Sequence, residues 1–237
     1  MQRARRLALV VVLALVGGVI LAGCRSQPGV AAYVGDKKYT VRQVDEIVDR
    51  IVKLNNQRSQ EPPDRRQVVP ISRQLVLGAM VYGDLEADLL AERGLTAQSG
   101  NATAIARSFG LEMSDPYAQL LGTYYDRFTV LAQSGAGTGA APTRDQLLRY
   151  YHAGVEAGVY RAGATDDDIA NSRDVPADVL ADLGAQALVD QAAKDKHVVV
   201  NPRYAPLPLP ILMRQAGGGS IVLLPFGGSG ASFVSGA

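Results

Sequence analysis

The chain has 237 residues, enough for one sizeable core, and carries 24 lysines and arginines against 23 aspartates and glutamates. That near-balance gives no electrostatic case for binding nucleic acid. The single cysteine, Cys24, excludes an intramolecular disulfide, a CxxC redox pair and a cysteine zinc cluster.

The first element is a cationic head, Arg3, Arg5 and Arg6, followed by an apolar run from Leu7 to Ala22 and the sequence Leu21-Ala22-Gly23-Cys24. A basic head, an apolar run and a small-residue cleavage site make an export signal. An uncleaved membrane anchor needs about 20 apolar residues, and this run is shorter and interrupted by Gly17-Gly18. The last four residues resemble the lipobox of bacterial lipoproteins. That resemblance implies diacylglyceryl attachment to the Cys24 thiol and cleavage before it, with residues 1–23 removed. It also implies residence on the extracytoplasmic face of the cell membrane, held by the lipid on Cys24. Removing the three signal arginines from 24 basic side chains leaves 21 against 23 acidic, a charge of −2.

Residues 24–29 read as a short linker. Val30 to Val34 reads as a strand, Gly35-Asp36 as a turn, and Lys37-Lys38-Tyr39 as the return. Thr40 and Gln43 have capping-box spacing, and Val41, Val44, Ile47, Val48, Ile51 and Leu54 form one apolar helical stripe. Residues 55–67 read as a polar loop broken by Pro62-Pro63. A longer helix is predicted from about Ile71 to Arg93, with Gly94 at the C-terminal cap. Helices follow at 101–109 and 115–133, the second opened by Asp115-Pro116. Residues 134–141 read as a Gly/Ala linker. The letters of a GxGxxA dinucleotide loop occur there, but no strand precedes them, so the cofactor reading is set aside.

Thr143 and Gln146 open another capped helix, which contains Leu147, Leu148, Tyr150, Tyr151 and Val155. The run Asp166-Asp167-Asp168 lacks the alternate ligand spacing of a calcium loop and reads as a solvated loop or helix start after Thr165. His152 and His197 stand without carboxylates at ligand spacing and are read as ordinary surface or strand residues. A last long helix is predicted from Pro176 to Lys194, then a strand at 197–200. From Pro206 the chain turns Pro- and Gly-rich, and residues 206–237 are expected to be a mobile tail outside the core. The fold expected is mainly α, with a small β-pairing of the first and closing strands and no metal or cofactor site.

Met80, Tyr82, Met113, Tyr124, Tyr125 and Phe128 fall on or beside predicted helices. They read either as core or as a shallow apolar groove for extended polypeptide. The order of pieces resembles the N-terminal domain of SurA and PrsA foldases over residues 30–205. The likeness rests on Ala32 to Thr40, on Leu75 to Leu95 with Glu92-Arg93-Gly94-Leu95, on Pro142-Thr143 to Tyr150-Tyr151, and on Val198 to Tyr204. It implies a chaperone-like domain for unfolded or nascent secreted polypeptides, with pairing of the first and closing strands. The parvulin isomerase unit of that family takes about a hundred residues. No such segment lies between the helices, and 32 residues follow Ala205, so isomerase activity is not expected. The alternative is a non-catalytic envelope scaffold that binds one folded partner.

Overall fold

The computed structural model describes residues 27–62, 66–135, 137, 141–172, 174–215 and 218–224. The expected export signal at residues 1–23, Cys24, most of the Gly/Ala linker and residues 225–237 lie outside the described residues. Seven helices and five strands occur among those described, and the fold is mainly α.

Strands β1 (Val30–Val34) and β2 (Lys37–Thr40) form an antiparallel hairpin across Gly35, whose φ of 56° is a conformation that glycine adopts without Cβ strain. Thr40 then caps α1 (Val41–Arg58) in a complete capping box with Gln43. Val44, Val48 and Ile51 are buried along the predicted stripe. At the far end of α1, Arg58 donates to the carbonyls of Phe109 and Gly110 at 2.8 and 2.6 Å. That contact satisfies orphan acceptors where the third helix stops.

Helix α2 (Arg73–Glu92) starts at Ser72, whose hydroxyl accepts from the Leu75 amide at 3.0 Å. Twelve of its residues are buried, all around its circumference, so it is the axis of the core. Gly94 ends it at φ 64°, with the Leu95 amide returning to the Leu90 carbonyl at 2.9 Å. Helix α3 (Asn101–Ser108) has no cap of its own. Asp126 of α4 (Pro116–Gln133) accepts from the amides of Gly100 and Asn101 instead, at 3.2 and 3.1 Å. The two helices cross closely at Gly122, where an added Cβ would lie 2.3 Å from the Cα of Ala102.

Helices α5 (Arg144–Glu156) and α6 (Asp166–Ala170) each open on a capping box, Thr143 with Gln146 and Thr165 with Asp168. Helix α7 (Ala177–Asp195) packs beside α2 and α4 and leads through His197 to β3 (Val199–Val200). Strand β3 pairs antiparallel with β1, Ala32 opposite Val200 and Tyr33 opposite Val199, so the sheet order is β2-β1-β3. The first and closing strands are therefore partners. The predicted strand at 197–200 is shortened to its last two residues because His197 sits in a turn at φ 50°.

The expectation of a mobile tail from Pro206 is corrected by the next segment. Strand β4 (Leu209–Gln215) forms an antiparallel hairpin with β5 (Gly218–Leu224), Leu209 opposite Leu224 and Gln215 opposite Gly218. Leu207, Leu209, Ile211 and Met213 are 0–3% exposed and belong to the main hydrophobic core. The domain thus extends past residue 205. Pro210 fits inside β4 because its carbonyl accepts from the Tyr124 hydroxyl at 2.6 Å. In an antiparallel strand the N–H and C=O of one residue point to the same side. The missing amide of Pro210 therefore faces the helices and removes no bond from the β4–β5 ladder.

Candidate functional site: an aromatic cleft beside the core

The six side chains expected to form a groove do not come together on a surface. Tyr82, Tyr124, Tyr125 and Phe128 are 0–4% exposed and lie inside the core. Their rings pack on one another, Tyr124 edge-on to Tyr125 at 5.0 Å and stacked with Phe128 at 6.1 Å. The hydroxyl of Tyr82 donates to the Leu207 carbonyl at 2.7 Å, so two tyrosine hydroxyls hold the segment that covers them. Met80 is half-buried against the core, and Met113 is 62% exposed on the loop before α4. The groove reading fails at these residues because β4 occupies the space it would need.

A different apolar cleft lies where α5, α6 and the start of α7 meet. Its volume is about 310 Å³, and its walls include Leu147, Tyr150, Tyr151, Tyr160, Ile169 and Val175. Tyr150 is buried, whereas the other five are only half-buried, so apolar surface remains open to solvent. Tyr151 and Tyr160 stack in parallel, with centroids 5.8 Å apart and planes 6° from parallel. Tyr150 lies 6.4 Å from Tyr160 at a tilt of 38°.

The turn after α5 sets this arrangement. The amides of Val159 and Tyr160 both return to the Gly154 carbonyl, at 2.7 and 3.1 Å, and Gly158 takes φ 71°. Tyr160 then packs against α5 at Gly154, where an added Cβ would sit 2.3 Å from its Cδ2. The Tyr151 hydroxyl donates to the Arg161 carbonyl at 2.6 Å and the Tyr150 hydroxyl to Asp182 at 2.7 Å. Burial first, then the Asp182 charge and hydrogen bond, holds the Tyr150 hydroxyl far above the ordinary tyrosine range. Burial also raises Tyr160; its hydrogen bond with Tyr150 opposes this, and Asp178 and Asp182 add to it. Both rings stay neutral at physiological pH.

Asp168 is the charged residue in the cleft wall. Its carboxylate accepts from the hydroxyl and amide of Thr165, at 2.7 and 3.0 Å, and those bonds hold its pKa below the ordinary aspartate value. The run 166–168 is thus a helix start, with each aspartate differently engaged. Asp167 pairs with Arg144 at 2.7 Å, and Asp166 contacts His152 Nε2 at 2.9 Å. His152 therefore does not stand alone. Its partner is 14 residues away in sequence, outside local ligand spacing. His197 is in the turn before β3.

Among the described residues no group of three or more His, Cys, Asp or Glu side chains is placed to hold a metal ion. Glu86 is fully buried in α2 with neither carboxylate oxygen hydrogen-bonded, and the Tyr125 hydroxyl is likewise buried and unpartnered. Both are sealed in the core and do not line the cleft. Among the described residues no helix is long and apolar enough to cross a membrane. Comparison with models of protein families, with curated proteins and with solved structures returned no match.

The cleft can offer apolar contact, aromatic faces and one fixed negative charge. Its tyrosines were visible in the sequence as a pair at 150–151 and a third at 160. Gly154 and Gly158 between them are the signal that the chain folds back there.

Proposed function

We propose that this protein is an extracytoplasmic lipoprotein, anchored in the membrane through lipid on Cys24, that binds apolar segments of unfolded or newly secreted polypeptides. The observation that carries the binding reading is the cleft between α5, α6 and α7, with Leu147, Tyr151, Tyr160, Ile169 and Val175 left half-buried. Its volume of about 310 Å³ has room for a few side chains at a time. Tyrosine faces give contact area at low ordering cost, which suits a surface meeting varied sequences. The lipobox-like Leu21 to Cys24 supports the tether. Lipid at that point concentrates the domain where exported chains emerge.

The test uses the mature chain from residue 24 with Cys24→Ser, so that it is soluble. It should suppress aggregation of a denatured client at a few-fold molar excess, and Tyr151→Ser with Ile169→Ser should weaken suppression without loss of helical circular dichroism. A folded protein with no effect on aggregation overturns the binding reading. In cells, the wild-type chain should take up labelled palmitate and Cys24→Ser should not; a wild-type chain that takes up no lipid label overturns the lipid anchor.

A further inference from the structure

The cleft that carries the binding reading also carries a charge pattern. Resting on that reading, we infer that the cleft selects apolar segments in which lysine or arginine adjoins the apolar side chains. Among the described residues no lysine or arginine lines the cleft, and its one charged wall residue is Asp168. The hydrogen bonds to that carboxylate come from Thr165, a neutral residue, so its charge is fixed but not cancelled. Asp166 and Asp167 differ, since His152 and Arg144 engage them.

Outside the lining, Asp182 of α7 accepts from the Tyr150 hydroxyl, and Asp178 and Asp182 both act on the hydroxyl of Tyr160. A segment lying in the cleft therefore meets Asp168 directly, with a further carboxylate, Asp182, held by the Tyr150 hydroxyl of the lining. Carboxylates beside a low-dielectric apolar wall attract a cation more strongly than they do in open water. The neutral faces of Tyr151 and Tyr160 add a favourable surface for an ammonium or guanidinium group. An acidic client segment would meet repulsion from the same groups.

Three fluorescent ten-residue peptides with one common apolar sequence, flanked by lysine, serine or glutamate, separate the possibilities by anisotropy against the mature chain. The lysine-flanked peptide should bind about fivefold tighter than the serine-flanked one at low salt, with the glutamate-flanked peptide weakest. The preference should shrink as salt rises to about 0.5 M. Asp168→Asn and, separately, Asp178→Asn should each lower the ratio of lysine-flanked to serine-flanked affinity. The second variant leaves the α6 cap intact. Equal binding of all three peptides, or an unchanged preference in both variants, overturns this inference and leaves the cleft reading standing. No binding of any peptide overturns both.

Discussion

The hydroxyl of Tyr124 donates to the carbonyl oxygen of Pro210 at 2.6 Å, joining the middle of α4 to a strand 86 residues further on. Tyr82 does the same from α2 to Leu207 at 2.7 Å. Both bonds are buried, and their acceptors are backbone carbonyls that face the helices. Tyr82→Phe or Tyr124→Phe should each cost about 1–2 kcal/mol, since each leaves a buried carbonyl without its donor. Urea unfolding measured by circular dichroism checks this, and no shift in midpoint for either variant would count against the anchoring of β4.

A chain ended at Ala205 should not fold cooperatively. It would lack Leu207, Leu209, Ile211 and Met213, each 0–3% exposed in the intact domain, and would uncover the tyrosines beneath. Losing several fully buried aliphatic side chains removes about 2 kcal/mol each, comparable in sum with the whole stability of a domain. A broad, non-cooperative thermal transition for residues 24–205, beside a sharp one for 24–237, is the expected result.

Gly154→Ala should disturb the cleft more than the fold. The new Cβ meets the ring of Tyr160 at 2.3–2.5 Å, but that ring is half-exposed and can swing outward. A stability loss of about 1 kcal/mol is expected, together with loss of the Tyr151–Tyr160 stack. Near-ultraviolet circular dichroism should register the change in tyrosine packing, and affinity for the apolar peptides should fall with it.

Stability should decline as pH rises, and Glu86 should account for the decline above pH 6. Burial pushes its carboxyl well above the usual range, with Arg127 opposing, so the folded state holds a proton that the unfolded state releases above about pH 4.3. The stabilising contribution is fully present below that value and is lost as pH climbs toward the folded pKa. The expected slope is about 1.4 kcal/mol per pH unit within that window. Asp190, pushed up to about 6 mainly by burial, acts in the same direction but is exhausted near that pH. Glu86→Gln should therefore flatten the dependence above about pH 6, where Asp190 no longer contributes. Urea midpoints across that range test it, and an unaltered slope in the variant would rule out Glu86 as the source.

The helices were largely legible because their signals are local. Thr40 with Gln43, Thr143 with Gln146, and Asp115-Pro116 each begin a helix where the sequence places one, and Gly94 ends another. Strand β4 was hidden by Pro206, Pro208 and Pro210, which mask the alternation of Leu207, Leu209, Ile211 and Met213. Proline disqualifies a strand only when its missing amide falls on the ladder side, and helical partners far away in sequence decide that side. The same gap misplaced the binding surface. Nothing in the helix holding Tyr124, Tyr125 and Phe128 says whether its outer face meets water or a strand 80 residues later. The cleft depends on Tyr160 folding back over Gly154, and on α6 meeting α5 through contacts such as His152 with Asp166.

The pairing of β1 with β3 has a temporal consequence for a chain that emerges amino-terminus first. Tyr33 finds Val199 only after the whole helical body has been threaded through, and the lid of Leu209 and Ile211 over Tyr82 and Tyr124 arrives later still. Such long-range closure is slow relative to helix formation. The emerging chain would thus pass through a stage in which its helices are present but its aromatic centre is bare. In that interval this protein would itself need the kind of shelter it is proposed to give.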